Sequence, residues 1–94
     1  MDPFNREAEL REQFETNKIQ FLFTEVDTAT TFCNVARSSQ DAEKTKRNVA
    51  NACEGYKTLL KFMVGAHFDV NSQGEFDHKM EHLKSLLREL GQNV

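Results

Sequence analysis

Apolar residues recur every three or four positions along nearly the whole chain, and from Asn5 to Glu54 neither glycine nor proline interrupts them. A run of that kind predicts helix. Its clearest early stripe is Ile19, Leu22, Val26, Ala29, Cys33 and Ala36, the alternation of threes and fours that places side chains on one face of a 3.6-residue turn. Asp2 followed by Pro3 has the form of a helix start, an acceptor side chain ahead of the residue best tolerated in the first turn. The first helix is therefore expected over 3–37. Asn17 with Gln20 three residues on resembles a capping box, so a break near Asn17 belongs to the expectation.

Ser38-Ser39 reads as the first turn, with Ser39 able to cap a second helix over 40–64 whose stripe is Ala42, Val49, Cys53, Tyr56, Leu60 and Met63. Gly65 is a natural stop. Ser72-Gln73-Gly74-Glu75 has the spacing of a capping box and opens a third helix over 73–90, with the heptad-like stripe Phe76, Met80, Leu83, Leu87 and Leu90, ended by Gly91. The predicted fold is all-α: one domain over 1–94, an up-down-up antiparallel three-helix bundle with a long first helix.

The first helix carries more apolar surface than a bundle of this size shelters. At 100° per residue its apolar side chains cover an arc of about 240°, against the stripe of a little over 100° that one buried face needs. Leu10, Phe14, Phe21, Phe32 and Val35 cluster on one side of that arc, the Ile19-to-Ala36 stripe forms the other, and Phe23 lies beyond it. Each exposed phenylalanine forgoes roughly 1.5–3 kcal/mol of burial, so a cover is expected. Either the linker bearing Phe68 folds back over the excess, or a second helix from outside does. Phe14, Phe21, Phe23 and Phe32 are the residues expected at such a contact or its border, with a homodimer as the first partner and a helical hetero-partner as the other.

Composition narrows the chemistry. Ninety-four residues with 38% hydrophobic and 29% charged positions suit one small folded domain, and the net charge of -3 disfavours nucleic acid, which calls for a cationic surplus. Helix two is the basic element, with Lys44, Lys46, Arg47, Lys57 and Lys61 outnumbering Asp41, Glu43 and Glu54, a pattern suited to charge complementarity between helices. No base-reading or stacking groups accompany those cations. The N-terminus lacks the pattern of a secretory signal and no apolar run reaches the ~20 residues of a membrane span, so a cytoplasmic location is expected, with no membrane partner.

Cys33 and Cys53 are too sparse for a disulfide framework. With a turn centred at residues 38–39, hairpin arithmetic puts them about nine residues, or roughly 13 Å, apart along the axis, and both read as small apolar residues. His78 and His82 stand four residues apart, the spacing at which two imidazoles chelate a transition metal. They fall on the side away from the helix-three stripe, which is the ordinary place for solvated histidines. Asn51 and Tyr56, close to the helix-two stripe, are expected to hydrogen-bond within the bundle and set its register. No nucleophile-base pair, phosphate loop or carboxylate dyad stands out. The expectation is a non-catalytic interaction module of bacterial type with no cofactor, self-associating through its aromatic-rich first helix; the alternative is a small metal-binding helical protein using His78 and His82.

Overall fold

The computed structural model describes the backbone from Pro3 and the side chains from Asn5 to Val94; Asp2, the expected first cap, lies outside the described residues. Three helices follow one another, α1 (Pro3–Ser38), α2 (Ala42–Phe62) and α3 (Val70–Glu89), and α1 packs against both of the others, which touch each other far less. The fold is the all-α three-helix bundle that the periodicity predicts.

α1 runs through Asn17 without interruption. An asparagine inside a helix costs only about 0.7 kcal/mol relative to alanine, whereas a break strands up to four N–H and four C=O groups. Continuity is the cheaper state. Farther along, two of the threonines and the final serine fit by returning their hydroxyls to the backbone one turn earlier, Thr30 to Val26 O (2.8 Å), Thr31 to Asp27 O (3.0 Å) and Ser38 to Asn34 O (3.0 Å).

Both later helices are capped by aspartate rather than by the expected serines. The Asp41 carboxylate accepts from the backbone N–H of Glu43 (3.0 Å) and Lys44 (3.4 Å), so α2 starts at Ala42, while Ser39 Oγ accepts from Asp41 N (3.2 Å) and braces the turn before it. Asp69 accepts from Ser72 N (2.8 Å), so α3 starts at Val70, one turn earlier than a cap at Ser72 would place it. An ionised carboxylate serves the positive end of a helix better than a hydroxyl does. The C-terminal stops fall where expected: Gly65 and Gly91 have φ of +76° and +85°. At Gly91 the Gln92 N–H reaches Leu87 O (2.9 Å) and the Gly91 N–H reaches Arg88 O (3.0 Å), a Schellman closure.

The core is one cluster. Leu22, Val26, Ala29 and Cys33 of α1 meet Ala52 and Leu59 of α2 and Phe76, Met80, Leu83, Leu86 and Leu87 of α3. The first and third stripes match their expected faces, but the second is turned. Ala42 and Leu60 are exposed, and Asn48, Ala52 and Leu59 are buried in their place. Gly55 explains the phase: a Cβ there would stand 3.0 Å from the Cβ of Ala29, so α1 and α2 pack closely at this level over two of the smallest residues available. Asn48 satisfies its buried amide by donating to Lys44 O (2.8 Å). Asn51 is exposed and Tyr56 half-buried, and the register is carried by the close approach instead.

The Ala29–Gly55 contact also revises the cysteine geometry. Moving four residues along each strand of the hairpin sets Cys33 level with Asn51, so Cys53 lies about 3 Å away along the axis rather than 13 Å. Both thiols are free, and the Cys53 thiol donates to Gln92 Oε1 (3.4 Å). Burial pushes the Cys33 thiol up from an ordinary 9.0 to about 11, with the neighbouring Cys53 thiol adding to the rise and Arg37 opposing it. The unfolded chain loses this proton first, so stability is complete below about pH 9 and falls as the pH rises toward 11. A maleimide titration of native protein at pH 8 is expected to modify Cys53 and spare Cys33 until denaturant is added; equal rates at both thiols would contradict this packing.

Candidate interaction surface

The helices end at different levels, and that mismatch creates the surface. Two ion pairs tie α1 to α3, Asp27 with Lys79 (2.7 Å) and Arg37 with Glu89 (3.4 Å), and each joins residues 52 positions apart. The helices are therefore parallel and in step, with Val70 level with Lys18. α2 runs the other way and stops at the same height, where the Phe62 ring meets Phe21 edge-on at 5.8 Å and Lys18 Nζ comes within 3.5 Å of Val64 O. Below that level α1 continues without a helical neighbour from about Asn17 back to Pro3, a projection of roughly 22 Å. The shape follows: the molecule measures 59 × 23 × 18 Å, with a radius of gyration of 16.5 Å where about 12 Å would suit a compact chain of this length.

The projecting segment keeps an apolar face. Leu10, Phe14, Phe21 and Phe32 fall within about 40° of one another on the helical wheel. Where α2 is present it covers this face: Phe32 is half-buried against the core, and Phe21 is partly shielded by Phe62. Where α2 has ended the face is bare, with Leu10 45% and Phe14 70% exposed. Phe62, itself 43% exposed and overlain by Lys61 Nζ at 5.4 Å, extends the strip onto α2. The sequence pattern did not single out Phe62; its position at the end of α2, just before the Gly65 stop, was the available signal.

Phe23 belongs elsewhere. It points to the other side of α1 and joins Phe68 and Phe76 in a three-ring cluster, edge-on to both at 6.2 and 5.6 Å, while Phe68 stacks on Phe76 at 4.9 Å. The linker thus folds back over this flank of the surplus and leaves the flank bearing Phe14 open. Of the four phenylalanines expected at the contact, Phe14 and Phe21 share the bare strip, Phe32 lies at its covered upper end, and Phe23 is packed on the opposite flank.

His78 and His82 are exposed on α3. Among the described residues no three His, Cys, Asp or Glu side chains are grouped to hold a metal ion. A separate open groove lies where α1 passes the linker, lined by Glu15, Ile19, His67, Phe68 and Asp69, and the Glu15 Oε2 atom is buried there without a hydrogen-bond partner. No helix of the described residues is long and apolar enough to cross a membrane. Comparison of the chain with protein-family models, curated proteins and solved structures finds no match.

Proposed function

We propose that this chain is a non-catalytic helix–helix interaction module that self-associates through the aromatic-rich face of α1. The observation that carries the reading is the bare strip: Leu10 and Phe14 are exposed on a helical segment that neither of the other two helices covers. A helix of about 15 residues without helical cover is marginal in water, and a partner against the strip would stabilise it. A reducing, cytoplasmic setting is part of the same reading, supported by the free thiols of Cys33 and Cys53.

Amide exchange tests it. Residues 8–17 are expected to exchange slowly at about 100 μM protein and quickly near 1 μM, while the Leu22–Ala36 amides stay protected at both. Fast exchange over 8–17 at both concentrations would reject self-association through this segment.

A further inference from the structure

We infer that the two projecting segments of a dimer pair antiparallel, each taking up the line that the other chain's α2 leaves vacant; this rests on the self-association reading above. The bare strip is the continuation of the face that α2 covers higher up, where Phe21 meets Phe62 and Ala29 meets Gly55. α2 runs antiparallel to α1, so a helix continuing its line also runs antiparallel. Pairing that sets Leu10 against the partner's Phe14, and Phe14 against the partner's Leu10, brings the start of the partner's α1 beside Phe21 and the end of α2 at Phe62. The negative end of α2 then meets the positive end of the incoming helix, an arrangement that helix dipoles favour.

Charge selects the same register. Glu7 and Lys18 lie on one edge of the strip, about 20° apart on the wheel. Among the described residues neither has an ion-pair partner in its own chain; Lys18 Nζ makes only the long contact to Val64 O at 3.5 Å. A two-fold axis between antiparallel helices turns this edge toward its own copy. In the Leu10-to-Phe14 register Glu7 then faces the partner's Lys18, and the symmetry repeats the pair. Arg11, between them on that edge, falls opposite the partner's Phe14 and can lay its aliphatic stem along the ring. A parallel two-fold pair would instead turn this edge toward the partner's opposite edge, with Glu7 and the partner's Lys18 roughly 16 Å apart along the axis and unable to pair.

Charge exchange distinguishes these arrangements by sedimentation of the full chain. In the antiparallel pair Glu7→Lys and Lys18→Glu each turn two attractions into two repulsions and are expected to weaken the dimer about tenfold at low salt. The double variant restores both attractions and is expected to return to the wild-type dissociation constant. In a parallel pair Glu7 and Lys18 do not meet, so the double variant restores nothing that a single change costs. Single variants that dimerise as tightly as wild type, while Phe14→Asp still dissociates the dimer, would overturn the antiparallel register and leave the interaction module standing. A wild-type chain that is monomeric at 100 μM would overturn both.

Discussion

Phe14→Asp is expected to give a monomer whose three-helix core is as well folded as that of the wild-type chain. The side chain is 70% exposed on the part of α1 that no other helix reaches, so its loss removes nothing from the monomer core. Exposed changes away from caps and packing contacts fall within about 0.5 kcal/mol of neutral. In the dimer the same change acts twice. Each lost phenyl burial is worth roughly 1.5–3 kcal/mol, so two weaken association by about a hundredfold to ten-thousandfold, before any penalty for a buried carboxylate is counted. Light scattering reads the mass and urea unfolding at low concentration reads the fold. Loss of both together would mean that Phe14 supports the fold itself, contrary to its exposure.

Phe76→Ala is expected to act in the opposite way, weakening the fold rather than the contact. Phe76 is fully buried, and Phe68 and Phe23 both rest on its ring. Truncating a buried phenylalanine costs about 3–5 kcal/mol, a large share of the roughly 5–10 kcal/mol available to a chain of this size. The residual cavity would sit under the segment that leads into α3, so Phe68 loses its stacking partner and the linker loses its anchor. A fall in melting temperature of about 15–30 °C follows for a domain this small. A fall of less than 5 °C would show that the three rings do not anchor the linker.

The contrast between these two phenylalanines marks how far the sequence could be read. In α1 and α3 the core stripes are built from large apolar residues, and periodicity located them directly. In α2 the core face is Asn48, Ala52, Gly55 and Leu59, chosen small because α1 comes within van der Waals reach of Gly55. Hydrophobicity cannot see such a face, so the pattern drifted to Ala42 and Leu60, which lie exposed. The same close approach shifts the hairpin register and brings Cys33 and Cys53 nearly level. The caps moved for a local reason: serine and aspartate stood two or three residues apart at both turns, and the carboxylate won. For the candidate surface, the wheel isolated the face that holds Leu10, Phe14, Phe21 and Phe32. It could not tell which rings the linker would cover, because that depends on Phe68 finding Phe76 across the bundle.

The surplus length of α1 and its bare strip are the centre of this picture, and the mass of the wild-type chain in solution tests them most directly. Light scattering at about 100 μM should give twice the 10.8 kDa of one chain, moving toward 10.8 kDa as the protein is diluted into the low micromolar range. A mass that stays at 10.8 kDa throughout would contradict it.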